Sequence, residues 1–144
     1  MIEHVARWMS ASLFKSFNLA CTGIVPVYVE GTDVKEVGSY LEIRVDGPNF
    51  EQMTSTFWCL KLRVHVLIKH THADDLYKVE RLIGTVVNAL PTSIAVYKYG
   101  DDSSLVDCMR RCEAHKVHRY GKVAEKVKLT LASVETLYQL QVTT

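Results

Sequence analysis

The stretch HTHADDL, residues 70–76, concentrates side chains that could bind a metal. His70, His72, Asp74 and Asp75 offer two imidazoles and two carboxylates within six positions. Both groups are common zinc ligands, and a bound metal can activate water for hydrolysis. One hypothesis is therefore a small metal-dependent hydrolase that uses His70, His72 and Asp74.

This stretch resembles the His-x-His-x-Asp-His signature of the metallo-β-lactamase-like hydrolases, and it also follows a strand-like run, VHVLI. It departs from that signature because Asp75 replaces the last His and no Gly-containing turn follows. The competing interpretation is structural. Asp74 and Asp75 lie in the first turn of a helix, where carboxylates favour the helix dipole, and Thr71 or Asp74 caps free amides. This interpretation predicts no bound metal, no cofactor and no catalytic residue.

A second cluster, CMRRCEAHKVH, contains Cys108, Cys112, His115 and His118. Thiolates and imidazoles are good zinc ligands. A zinc finger leaves about a dozen residues between its Cys pair and its His pair, however, and here only two intervene. The spacing therefore favours a structural role.

The two cysteines are one helical turn apart. On a helix they share a face with Leu105 and Met109. This pattern predicts a short helix that begins at the serine pair 103–104, where a hydroxyl can cap it. Cys108 and Cys112 would then be small buried apolar residues.

The segment 110–128 is basic and includes Tyr120. Nucleic acid favours such a surface. The segment lacks a recognition-helix pattern and an aromatic RNA-binding strand, so it predicts a solvated or protein-facing strand without nucleic-acid specificity. Its basic residues are Arg110, Arg111, Lys116, Arg119, Lys122, Lys126 and Lys128.

The length of 144 residues predicts a single domain, 1–144, with its own core. The formal net charge of +1 indicates no partner class. Charged residues interrupt the apolar first twenty positions, which argues against a transmembrane span and a signal peptide. We therefore expect no membrane association and reduced cysteines.

The apolar spacing predicts a leading helix over residues 2–20 and a second helix over 73–90 that ends before Pro91. A short strand at 24–29 contains Pro26, which favours an edge position. Residues 39–47 alternate as a strand, and residues 46–56 read as a loop.

The clearest pattern is a long strand from Phe57 to Lys69. One face is apolar and predicts core, and the other is largely polar, as in an antiparallel sheet. The apolar face comprises Trp58, Leu60, Leu62, Val64, Val66 and Ile68. The polar face includes Lys61, Arg63, His65 and Lys69.

Further strands are predicted at 93–99 and within 115–143, where the alternation changes phase near Ala132–Ser133 and indicates a bulge or turn. Runs of strands between segregated helices are typical of an α+β fold. We predict a single mostly antiparallel β-sheet with two main helices packed on one face.

This order resembles the tail terminator (tail completion) proteins of long-tailed bacteriophages over roughly residues 1–99. The resemblance rests on a leading helix, a Pro-containing strand, an alternating strand, the strand FWCLKLRVHVLIKH and the helix DDLYKVERLIGTVVNAL. The segment CMRRCEAHKVH is not part of that pattern.

The resemblance implies a virion structural protein, not an enzyme, without cofactor or catalytic residue. It implies a homo-hexameric ring that caps the tail tube, ends tube polymerisation and provides the head-to-tail joining surface. Its partners would be further copies of itself, the tail tube protein and a head–tail connector protein. Its location would be the tail or neck of the virion, after assembly in the host bacterial cytoplasm.

Two exposed features are the candidates for self-association or tube contact. The first is the polar strand face with Lys61, Arg63, His65 and Lys69. The second is the 46–56 loop, which carries the apolar residues Phe50 and Met53. A cytosolic adaptor domain is the remaining alternative to the ring protein and the hydrolase.

Overall fold

The structure is a computed structural model that describes residues 1–32, 34, 38–70, 76–125 and 128–143. These residues form an α+β fold with two helices and a curled, mostly antiparallel sheet of seven strands. The elements are α1 (Ile2–Cys21), β1 (Val27–Val29), β2 (Ser39–Gln52), β3 (Phe57–His70), α2 (Leu76–Ala89), β4 (Ser93–Tyr97), β5 (Leu105–Arg111), β6 (Lys116–Glu125) and β7 (Lys128–Thr143).

The described strands follow the order β1-β2-β3-β7-β5-β4, and β6 lies beside β7. β1 runs parallel to β2, and the other pairs are antiparallel. One side of β7 pairs with β3, and its other side is shared by β6 and β5. The edge position expected for the Pro26-containing strand is confirmed, because β1 is at the end of this order.

The long β3 strand has the phase that its sequence predicts. Leu60, Leu62, Val64, Val66 and Ile68 are fully buried. They form one core with apolar residues of both helices and of β7. Period-two alternation therefore identifies the core face of this strand.

α1 buries the stripe expected from its helical spacing. Val5, Met9, Leu13 and Phe17 are fully buried, whereas Ala20 at the end of the stripe is exposed. The helix packs on β4, β2 and α2. Because β2 and β4 lie near opposite ends of the strand order, these contacts reflect the curl of the sheet around the helix.

α2 ends just before Pro91, as predicted, and contacts β7, β3 and α1. Residues 73–75, which the sequence assigns to its first turn, lie outside the described part of the chain. The placement of both helices on a single face of the sheet stays a prediction.

The prediction of a loop at 46–56 is wrong, because β2 continues to Gln52 and pairs with β3 as far as Trp58. The register shifts between Asp46 and Asn49. Gly47 adopts φ +98° there, a conformation that glycine reaches without strain, so the strand passes through Gly-Pro as a bulge.

The prediction of a short helix near 103–112 is also wrong. Residues Leu105–Arg111 form β5, in which Met109 is opposite Ile94 and fully buried. Cys108 is half-buried and Cys112 is exposed, so they are not a buried helical pair. Strand pairing with β4 and β7 overrides the local helical spacing.

The change of phase expected in the last strand corresponds to an irregular register between β3 and β7. Ile68 is opposite Ala132, whereas Lys69 is opposite Thr130. One residue of β7 is therefore inserted immediately before the predicted position.

Candidate assembly surface

The polar face of the sheet consists of the odd-numbered β3 residues and the residues opposite them. Lys61 is opposite Asn49 and Gln139, and its side chain is exposed. Lys61 is therefore available to a partner without rearrangement.

Arg63 is held inside the subunit. Its Nη1 donates to Glu135 Oε1 at 2.7 Å and to Glu113 Oε2 at 3.1 Å, and its Nη2 donates to Glu113 Oε1 at 3.2 Å. The hydrogen bonds from Arg63 hold the pKa of Glu113 below its ordinary value. Arg63 thus ties β3 to β7 and to the segment after β5, and it is only partly exposed.

Two histidines lie on either side of Glu135. His65 Nδ1 is 3.6 Å and His118 Nε2 is 3.9 Å from Glu135 Oε2. The His118 ring stacks on Tyr120, whose hydroxyl is 2.9 Å from Ser133 Oγ. These side chains line a shallow, polar groove on the polar face. Its lining is Arg44, His65, Leu67, His118, Tyr120, Ser133 and Glu135.

The prediction that Lys69 presents its charge on the wet face is wrong. Lys69 is 5% exposed, and its Nζ lies 3.3 Å from Glu42 Oε2. Glu42 also accepts from Arg44 at 3.0 Å. Tyr40, opposite Lys69, is 1% exposed, so this end of the polar face is covered by packing. Lys69 is an internal ion-pair partner.

The end of the β2–β3 hairpin exposes apolar side chains, as predicted. Phe50 is 47% and Met53 is 54% exposed. Phe50 contacts Trp58 edge to face, with ring centroids 6.5 Å apart. The turn is ordered, since the Met53 amide donates to Phe57 O and the Phe57 amide donates to Thr54 Oγ1. The hairpin therefore presents a preformed apolar tip.

The HTHADDL stretch is described only in part. His70 is the last residue of β3, opposite Ser39 and Leu129, and is 6% exposed. His72 and Asp74 lie outside the described residues, as does Asp75. The metal hypothesis for this stretch stays untested.

The Cys/His cluster is spread over β5 (Cys108), the connecting segment (Cys112 and His115) and β6 (His118). His115 Nε2 lies 2.9 Å from Leu90 O, which also accepts a 2.8 Å hydrogen bond from Arg111 Nη1. Cys108 and Cys112 line a groove elsewhere, with Arg110. Among the residues that the structure describes, no three His, Cys, Asp or Glu side chains are close enough to hold a metal ion.

Sequence reasoning missed Glu113 and Glu135, the carboxylates that occupy Arg63. Glu135 is on the same face as Arg63 and His65 because β7 pairs directly with β3. The alternation of apolar and polar residues along β7 indicated which of its side chains share the polar face. The pairing of β7 with β3, which lies far earlier in the chain, was not readable from local pattern.

Comparison with solved structures finds the same fold in other proteins. No protein-family model and no curated protein matches this sequence. A chain from the structure "Virion of native gene transfer agent (GTA) particle" is similar with a TM-score of 0.55 and 13% identity, over 97% of this chain and 98% of that one. A second solved structure, of a protein whose name states no function, is similar with a TM-score of 0.54 and 13% identity, over 96% and 95% of the two chains.

The similarity extends over nearly the whole length of both chains, so the fold is shared as a unit. At 13% identity the shared property is the fold alone. Neither described helix has the length and apolar character that crossing a membrane requires.

Proposed function

We propose that this protein is a structural component of a phage-type virion that forms a ring at the end of the tail tube. In this role it ends tube polymerisation and provides the surface to which the head joins. The observation that carries the proposal is the fold shared over nearly the full chain with a component of a gene transfer agent virion. The order of elements, which resembles tail terminators, supports the same role.

The exposed features fit a protein that meets several neighbours. A closed ring uses two different surfaces of each subunit, related by rotation. The subunit presents Lys61 on its polar face and an apolar hairpin tip with Phe50 and Met53. Exposed apolar groups on an ordered tip are suited to burial against another protein. The ring would be a hexamer, and its further partners are the tube protein and a head–tail connector protein.

The proposed role needs no catalysis. We therefore propose that the protein is not an enzyme, binds no cofactor, and resides in the tail or neck of the virion.

The test combines native mass of the purified protein, alone and with tube protein, with electron microscopy of particles made without it. We expect a closed ring, and in its absence tails of uncontrolled length that fail to join heads. Phe50→Ser with Met53→Ser is expected to reduce docking but leave the melting temperature near that of wild type. The matched control is Tyr77→Ser, an 88% exposed aromatic on α2. A wild-type protein that stays monomeric in both settings would refute the proposal.

A further inference from the structure

The sheet has two open strand edges with matching backbone geometry. β1 pairs only with Leu41–Ile43, and no described strand pairs with the outer edge of residues 45–52, hereafter distal β2. At the other end of the sheet, no described strand pairs with the outer edge of β4. Open edges are templates for pairing with another chain.

The hydrogen-bond pattern identifies which groups face outward on β4. The Arg111 amide donates to Thr92 O, so this opposite pair is hydrogen-bonded. Opposite pairs alternate in an antiparallel ladder, so Ile94 is bonded to β5 while Ser93 and Ala95 point their amides and carbonyls outward. The next outward amide, of Tyr97, donates to Ser12 Oγ of α1 at 3.0 Å, which supports this phase.

The same argument applies to distal β2. The Met53 amide donates to Phe57 O, so Glu51 is also bonded to β3, whereas Phe50 and Gln52 direct their backbone groups outward. Two outward residues on each edge, at matching spacing, give a short ladder between strands.

The directions of the two strands also match. From β2 to β4 the sheet contains four antiparallel steps, so β2 and β4 run the same way. If a rotation continues the sheet from one copy to the next, the strands of both copies keep the same direction. Distal β2 of one copy then runs parallel to β4 of the next. β1 already pairs in parallel with the neighbouring part of β2. An incoming β4 would extend that arrangement along the same edge.

The side chains around the two edges can make an apolar contact on the core side of the sheet. A groove between α1 and β4 is lined by Ser12, Lys15, Ser16, Leu19, Ile94, Ala95, Tyr97 and Tyr99. Leu19 is 77% exposed, and Lys15 Nζ lies 4.3 Å from the centre of the Tyr99 ring. Distal β2 offers Phe50 for an apolar contact, because Phe50 is opposite the core residue Leu60 and so lies on the same side of the sheet as α1.

We infer that distal β2 of one copy pairs in parallel with β4 of the next copy and places Phe50 against the α1–β4 groove. This inference rests on the proposed ring and specifies its subunit interface. The interface is heterologous, since each copy uses one edge of each kind, and such contacts close into a ring by rotation.

The test uses proline to remove one outward amide at a time. Ala95→Pro blocks the β4 edge and Gln52→Pro blocks distal β2, and in the ladder phase derived above neither amide bonds to β5 or β3. The controls Ala95→Ser and Gln52→Ser keep the amides. We expect each proline variant to be monomeric by native mass and each serine control to form the wild-type ring.

Mixing the two proline variants gives the most specific outcome. The Ala95→Pro chain keeps an intact distal β2, and the Gln52→Pro chain keeps an intact β4 edge. These two edges can pair once, so the mixture is expected to form heterodimers and nothing larger. If both folded proline variants still form rings, the inference is overturned while the proposed function stands. If the wild type forms no ring alone or with tube protein, the proposed function fails and the interface fails with it.

A crosslink keeps the test decisive if a proline variant unfolds. Ala95→Cys and Gln52→Cys chains are mixed under oxidising conditions, and disulfide-linked peptides are mapped by mass spectrometry. A link between positions 95 and 52 of different chains supports the pairing. In the control mixture, Leu19→Cys replaces Gln52→Cys. If rings form and the 95–52 link is no more abundant than the 95–19 link of the control, the pairing is refuted.

Discussion

Arg63 Nη1 lies 2.7 Å from Glu135 Oε1, although the two residues are separated by 72 positions in the sequence. This contact joins the middle of β3 to the middle of β7. It turns a charge that the strand pattern assigns to an outer surface into part of the subunit's own structure.

Replacing Arg63 is expected to affect folding as well as assembly. Arg63→Met leaves Glu113 and Glu135 without their main cation, and we expect a loss of about 1 kcal/mol of unfolding free energy, since the site is partly solvated. Chemical denaturation measures this loss. Lys61→Met, two residues away on the same face but exposed, is the control and is expected to change stability by less than about 0.5 kcal/mol. Equal effects of the two substitutions would show that the Arg63 contacts contribute nothing.

The same contacts predict a pH dependence. Because the hydrogen bonds from Arg63 lower the pKa of Glu113 from its ordinary value, the ionised carboxylate stabilises the fold. This contribution is complete above the unfolded pKa and is lost as the pH falls through the lower, folded pKa. We expect the melting temperature of wild type to fall more steeply than that of Arg63→Met below about pH 4.5. Parallel curves for the two proteins would contradict the assignment.

Lys69 is expected to affect stability and not assembly. Lys69→Glu places a carboxylate beside Glu42, which is itself largely buried. A buried like-charge pair is expected to cost roughly 3 kcal/mol or more. Thermal and chemical unfolding test this expectation, with Lys61→Glu on the exposed part of the same face as the control. A Lys69→Glu protein with wild-type stability would show that this end of the face is open.

The core face of β3 gives the largest expected effect. Leu62→Asp or Val66→Asp introduces a charge at a fully buried position and is expected to cost several kcal/mol. Lys61→Asp is the matched control on the opposite face. If either core variant keeps the wild-type melting temperature, the phase of the strand is wrong.

Gly47 is expected to be specifically required in the β2 bulge. A Cβ at Gly47 would lie 2.9 Å from the Asn49 amide nitrogen and 3.1 Å from Lys61 O, at φ +98°. Gly47→Ala therefore adds a backbone clash to a conformational cost of about 1–2 kcal/mol. Gly100→Ala separates the clash from the conformational cost. Gly100 has φ +89°, but a Cβ there would lie near only the Arg7 side chain. Equal losses of stability for the two variants would show that the bulge can relax.

The sequence by itself determined the elements whose apolar residues repeat with the period of a single type of secondary structure. The β3 alternation from Leu60 to Ile68 and the α1 stripe from Val5 to Phe17 identified the core correctly, because a buried face must repeat with the period of its element. The exposure of Phe50 and Met53 was also predictable, since they lie among polar and turn-forming residues. The α+β class followed from the order of these elements.

Only the tertiary structure decided which residues meet. The helical spacing of Leu105, Cys108 and Met109 was misleading because pairing of β5 with β4 and β7 outweighs weak local preference. The alternation of β3 predicts that Lys69 and Arg63 are exposed. In the structure, Glu42 on β2 pairs with Lys69, and Glu135 on β7 and Glu113 in the segment after β5 pair with Arg63. Cross-strand register joins residues far apart in the chain, and local pattern carries no information about that register. The open edges of β2 and β4 likewise exist only once the strand order is fixed.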